Sequence, residues 1–279
     1  MKKKNPVSIA GKILLSILLL FIALFPVYWL VGMSIRPIGE MKGNISLIPQ
    51  KLTGEHFKAL FTEAHFGTAL INSAETTLIS TFLSLSIGLS SAYAISRRRF
   101  QFGMKKPLSF WVMLIRILPP VAFSIPLYIM FAKTNILNSK IPIILACILI
   151  NITLIIWYMI GFFHDIPEEI EESARIDGSS EWGTFLRIVL PLAAPGIAAV
   201  SMLSFMYAWN EYTYSIIFIQ SPKNYTVPLQ LVVLNTEDNL TNFGLVAAAG
   251  VISVIPITLF VIFAQNYLLA GLSSGAVKS

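Results

Sequence analysis

The sequence predicts an all-α integral membrane protein with six transmembrane helices and both termini in the cytoplasm. Three observations predict it: an apolar composition, six long runs almost free of charge, and cations gathered at the ends of those runs. Of the 279 residues, 56% are hydrophobic and only 12% are charged, and the mean hydropathy is +0.75. Soluble domains carry about 25% charged residues. A core surrounded by water cannot hide this much apolar surface, so the solvent for most of the chain is lipid.

The runs follow in order. The first is uncharged over residues 13–35, and the second over 76–96 with a start near Ala69. The third covers 108–132 with Arg116 inside it, and the fourth is uncharged over 141–163. The fifth runs from Pro191 to about Ile219 and contains Glu211. The sixth lies in the uncharged tract 239–277, most simply over 244–269. Each can span a hydrocarbon core that needs about 20 helical residues. Helices satisfy their own backbone polar groups in lipid, and the strand-sized alternation of a β-barrel is absent from the sequence. The first run is too long for a secretory signal and no small-residue cleavage pattern follows it, so it reads as an uncleaved anchor. Without an internal repeat or a soluble segment, residues 1–279 read as one membrane domain with a core at about 69–270.

Charge sets the orientation. Lys2, Lys3, Lys4 and Lys12 precede the first run, and Arg97, Arg98, Arg99, Lys105 and Lys106 follow the second. With six spans both groups lie on one side, which the excess of Lys and Arg makes cytoplasmic. The net charge of +6 therefore reports membrane orientation and not nucleic-acid binding. The loops at 36–68, 133–140 and 220–243 then face outward. The acidic loop 164–190 and the tail ending near Lys278 face the cytoplasm.

That inner loop is patterned beyond what a connector needs. Asp165 can cap a helix, with Pro167 in the first turn and Glu168 at capping-box spacing. Glu168, Glu169, Glu171 and Glu172 gather at the positive end of the helix dipole. Ile166, Ile170 and Ala174 recur every four residues as an apolar stripe. Glu171 and Arg175 are spaced to pair at i, i+4, worth a few tenths of a kcal/mol. Gly178 ends the helix in a left-handed conformation. In the next segment Trp182, Phe185, Leu186 and Val189 share a face, and Pro191 and Pro195 open the fifth run. A helix lying on lipid headgroups would carry a basic polar face. This acidic one suits a basic groove on a soluble protein better.

The spacing Glu172-Ser173-Ala174, three residues, Gly178, nine residues, Ile188-x-Leu190-Pro191 resembles the signature loop of ABC-importer permeases, with Ser173 in place of the pattern's first Ala. Residues 113–120 (Met-Leu-Ile-Arg-Ile-Leu-Pro-Pro), 205–211 (Phe-Met-Tyr-Ala-Trp-Asn-Glu) and 271–278 (Gly-Leu-Ser-Ser-Gly-Ala-Val-Lys) are similar to the carbohydrate branch, in particular the smaller permease of the maltose-transporter type. The resemblance covers essentially the whole chain. It implies the type I ABC importer permease fold and a sugar cargo. It also implies a heterodimer with a second permease, two ATP-binding cassette ATPase subunits and an extracytoplasmic solute-binding protein. By the same resemblance the ATPase-coupling residues are Glu172, Ser173, Ala174, Arg175, Asp177, Gly178, Trp182, Phe185, Ile188, Leu190 and Pro191. Glu172 would meet a basic residue in a cleft of the ATPase, Ala174 and Gly178 would allow close approach, and the tail through Lys278 would touch it too.

The chain carries no G-x-x-x-x-G-K-[S/T] phosphate cradle, so ATP and Mg belong to a partner and no cofactor is expected here. Its histidines, His56, His65 and His164, lack ligand spacing, and no catalytic set of side chains is evident. The single cysteine, Cys147, sits in an apolar run as an inert thiol. Arg116, Asn151, Tyr207, Asn210 and Glu211 interrupt the apolar spans. An ionisable group at mid-membrane costs about 3 kcal/mol, so these residues either line a translocation path or serve as structural pairs and helix-end groups. Phe205, Tyr207, Trp209, Tyr212 and Tyr214 fit an interfacial belt or a stacking surface for sugar rings. Two functional alternatives stay open: the same machinery moving amino acids, polyamines or phosphate, and an ion-coupled secondary transporter.

Overall fold

The computed structural model describes residues 6–41, 45–97, 105–236 and 243–275. The expected charges at Lys2, Lys3, Lys4, Arg98, Arg99 and Lys278 lie outside the described residues. Within them the structure is helical and no strand is present. Four helices are each long and apolar enough to cross a membrane: Gly11–Ser34 within α1 (Pro6–Ser34), α3 (Phe66–Ser96), α6 (Ile141–His164), and Phe243–Gln265 within α13 (Phe243–Gly275).

The third and fifth runs are not straight spans. In the third, α4 (Lys105–Ile117) and α5 (Pro120–Lys133) are helices bent by 99° at Leu118-Pro119. Pro119 is extended (φ −64°, ψ 142°), as a residue preceding proline must be, and neither ring can donate to the turn before it. In the fifth, the segment Glu181–Leu192 meets Ala194–Phe218 at 82°. Pro191 and Pro195 flank the corner at Ala193 and withhold the amides that would carry the helix through it. With each bent pair taken as one span, six spans result among the described residues. Pro256 lies inside the continuous α13.

The chain forms two compact units, one of residues 1–67 with 231–254 and one of residues 68–230 with 255–279. In the first, residues 11–28 of α1 expose apolar side chains all round, as a helix facing lipid does. The segment after it is tied down by polar contacts. Arg36 is buried and donates to the Ser46 carbonyl at 2.7 Å, and its guanidinium lies 5.9 Å from the Trp29 ring. The His56 ring nitrogen meets the Arg36 carbonyl at 2.8 Å, and the Glu40 carboxylate accepts from the amides of Gln50 and Lys51. A short helix, α2 (Glu55–Thr62), follows.

The second unit holds the main core. α6 packs against α4 and against α10 (Ala194–Trp209), and α11 (Thr213–Phe218) packs against α5 and α6. At the cytoplasmic end Leu89, Ala92 and Tyr93 of α3 close on Ile155, Met159 and Phe163 of α6, together with Phe185, Val189, Ala193 and Val200. A Cβ on Gly88 would stand 2.8 Å from Ile155 Cγ2, so only glycine allows α3 this close to α6. Nearer the outer end Ile143 and Cys147 pack with Ala208, Ile219 and Leu229. The outer loop is clasped from below: Asn138, at φ 57°, accepts from the amides of Gln220 and Ser221. Asn72 donates to the carbonyls of Lys223 and Tyr225, and Ser73 accepts from Val227 at the start of α12 (Val227–Thr236).

Candidate functional site

The loop 164–190 folds into two short helical pieces. α7 spans Glu168–Ile176, with three acids in its first turn. Its N-cap is Pro167 without a side-chain bond, and Asp165, expected to cap it, instead ends α6. The helix stops as the glycine predicted. Gly178 has φ +85°, its amide donates to Arg175 O at 3.0 Å, and Ser179 donates to Ala174 O at 3.0 Å. These two bonds cap the last carbonyls of the helix. Ser180 then caps α8 (Glu181–Thr184) by accepting from the Gly183 amide at 3.1 Å. Over Phe185–Val189 the backbone takes π register before α9 (Leu190–Leu192), with Leu190 donating to Phe185 O.

The predicted coupling residues divide between two faces. Ala174 and Phe185 are buried, and Arg175, Ile188 and Leu190 are half-buried. Glu172, Ser173, Asp177, Gly178, Trp182 and Pro191 are exposed. The apolar stripe is only partly an inner face, since Ile170 is exposed while Ile166 and Ala174 pack inward. The second stripe splits likewise, with Phe185 and Val189 inside and Leu186 outside. The exposed residues therefore include both acids and apolar groups: Ile176 is 86% exposed and Trp182 64%, and Glu172 and Asp177 are exposed as well. The exposure of Ile176 was not read from the sequence, although it sits in the signature spacing.

Glu171 corrects the sequence reading. It does not pair with Arg175, whose Nε donates to the Glu171 backbone carbonyl at 3.2 Å and whose Nη1 lies 3.8 Å from Glu181. The Glu171 carboxylate points inward and meets Arg97 Nη2 at 2.6 Å, the two side chains being 0% and 1% exposed. It also accepts from the Tyr93 hydroxyl at 2.6 Å. Arg97, counted in the sequence as a loop charge, further donates to the carbonyls of Phe163 and Ile166. The Tyr93 ring packs on Phe163 and Phe185 with centroids at 5.8 and 4.7 Å.

The second set of predicted residues is less concentrated. Arg116 is exposed on α4, with its guanidinium 4.8 Å from the Trp157 ring and 5.9 Å from that of Tyr158. Asn151 is buried in α6, donates to Ser204 O at 3.2 Å, and keeps its Oδ1 without a protein partner. Tyr207 is half-buried, and the exposed Asn210 donates back to Met206 O at 2.8 Å. Glu211 is buried at the break between α10 and α11. Its carboxylate accepts from the amides of Tyr214 (2.6 Å) and Ser215 (3.1 Å) and from the Ser215 hydroxyl (3.0 Å), so it closes the first turn of α11 from the residue before its N-cap, Tyr212. The expected aromatic belt is largely interior. Phe205 and Trp209 are buried and stack in line with Phe260, with centroids 6.0 and 4.4 Å from Phe205. Tyr214 is buried and donates to Pro120 O.

Comparison with known proteins agrees with this architecture. Residues 84–274 match the model of the family described as binding-protein-dependent transport system inner membrane component. The chain is 34% identical to the diacetylchitobiose uptake system permease protein DasC of Streptomyces coelicolor, over 93% of this chain and 94% of that protein. It is 31% identical to the trehalose transport system permease protein SugB of Mycobacterium tuberculosis, over 92% and 93%. A chain from the crystal structure of a bacterial ABC transporter involved in the import of alginate has the same fold, with a TM-score of 0.79 at 22% identity, covering 96% of this chain and 99% of that one. With its spans, its patterned inner loop and this match over most of its length, the chain belongs to the family of binding-protein-dependent transport system inner membrane components.

Proposed function

We propose that this chain imports a carbohydrate, an oligosaccharide or a glycoside, as one of two permeases in a heterodimer served by two ATP-binding cassette subunits and an extracytoplasmic binding protein. The chain is a multi-pass membrane permease of an ABC importer and not an enzyme. The sugar assignment draws support from relatives named for diacetylchitobiose, trehalose and arabinooligosaccharides. The observation that carries the coupling assignment is the exposure of Glu172 and Ile176 on α7, of Asp177 at its end and of Trp182 on α8. An acidic, apolar tip suits a basic cleft with a greasy floor on the ATPase.

In this reading ATP closes the ATPases, the loop follows, and the helices open toward the docked binding protein. Hydrolysis resets the inward-facing state, a two-state switch biased by nucleotide. Tyr207, with Asn210 at the end of α10, is the proposed polar lining of the path, and the buried Asn151 is proposed to steady α6 against α10 through Ser204 O. Arg116, on α4 against the Trp157 and Tyr158 rings, is a further candidate, and Glu211 holds the α10 to α11 corner that shapes the path.

Two measurements test the proposal. Glu172→Cys, paired with cysteines around the ATPase cleft, is expected to crosslink in a nucleotide-dependent way. A uniform lack of crosslinks in membranes actively accumulating solute rejects the coupling role. A panel of labelled oligosaccharides, amino acids, polyamines and phosphate, offered to the reconstituted complex with ATP, identifies the cargo. Uptake confined to a non-sugar rejects the carbohydrate assignment.

A further inference from the structure

We propose that the buried ion pair of Arg97 and Glu171, held by Tyr93, is the joint through which movement of α7 reaches α3 and α6. This rests on the coupling role of α7 proposed above and identifies residues that act behind its partner-facing surface.

The geometry is that of a three-way bracket. Arg97 directly follows the last residue of α3, and its amide still donates to Tyr93 O at 3.2 Å. One end of its guanidinium holds the carbonyls of Phe163, in the last turn of α6, and Ile166, in the linker to α7. The other end holds Glu171 of α7 at 2.6 Å. Tyr93, one turn back on α3, reaches the second carboxylate oxygen at 2.6 Å, while its ring lies 5.5 Å from the guanidinium. Tyr93, Arg97, Phe163 and Glu171 are buried. The ring of Phe185 lies against Tyr93, so the segment after α7 joins the same cluster.

An apolar contact at this place would let α7 slide on the bundle, because dispersion has little directional preference. A buried ion pair resists sliding and separation alike, since drawing two desolvated opposite charges apart is costly. The cost of burying the pair fits a place where motion must be passed on without slack. Adjacent acids thus have separate tasks: Glu172 faces outward to the motor and Glu171 faces inward to the helices. Arg97 and Tyr93 are positioning residues and touch no solute.

The test uses the whole importer reconstituted with its binding protein, and reads solute moved per ATP hydrolysed in each assembled complex. Glu171→Gln keeps the size of the side chain and an acceptor for Tyr93. It is expected to lower that ratio about tenfold. Tyr93→Phe keeps the ion pair and is expected to lower it about threefold. Arg97→Lys, which restores a cation, is expected to recover part of what Arg97→Met loses. A change in yield alone, with an unaltered ratio in Glu171→Gln, overturns the joint. If Glu171→Gln does not assemble, an unaltered ratio in Tyr93→Phe overturns it equally. Glu172→Arg separates the two proposals: loss of ATPase association there, beside an unaltered ratio in Glu171→Gln, retains the coupling surface and rejects only the joint.

Discussion

Glu171 and Glu172 are consecutive acids with opposite surroundings, one sealed against Arg97 and the other in solvent. Their helix phase fixes this, because neighbouring positions differ by about 100° around the axis. The signature spacing picked out Glu172, and periodicity alone assigned Glu171 a local partner at i+4. The true partner follows α3, far back in the chain, and no local pattern points to it. Gly178 was legible because a left-handed stop needs a residue without a Cβ. Gly178→Ala is expected to cost about 1–2 kcal/mol in backbone strain with no steric clash, since nothing lies within 4 Å of the added carbon. Hydrogen exchange at the Ser179 amide, which closes the cap, should speed up about tenfold. An unchanged rate would mean that the cap does not hold the end of α7.

The third and fifth runs show what hydropathy can and cannot say about elements. Both were visible as apolar stretches with a single charge each and their prolines were visible too, but the angles of 99° and 82° come from packing that no periodicity encodes. The break before α11 had a local signal that was missed. Glu211 stands three and four residues before the amides it binds, which is the reach of a capping acid at a helix start. Glu211→Ala leaves those amides buried and unpaired, at an expected cost of about 3 kcal/mol, read as a drop in the midpoint of thermal unfolding in detergent. Glu211→Gln retains one acceptor oxygen and should be milder. The close approach of α3 and α6 makes a second prediction. Gly88→Ala should destabilise by about 1–3 kcal/mol through overpacking on Ile155, and Ile155→Ala in the same chain should recover part of the loss. Strict additivity of the two changes would show that the helices are not jammed at this point.

At the scale of the whole molecule, topology was the most legible property, because lipid forces every span to announce itself by the absence of charge. The orientation rests on cations, and Arg97 shows that such a residue can serve an internal bond while still sitting on the expected side. The three outer loops were legible only as loops. Their clasps at Asn72, Asn138 and Glu40 depend on side chains reaching distant backbone. Cys147 is the only cysteine of the chain and is fully buried. The native protein should therefore stay dark to a maleimide dye, so an introduced Asp177→Cys or Lys51→Cys can be read without first removing a background thiol. Impermeant dye added to intact cells should light the second and spare the first, and a chain that fluoresces without any introduced cysteine would show that its interior breathes far more than its packing implies.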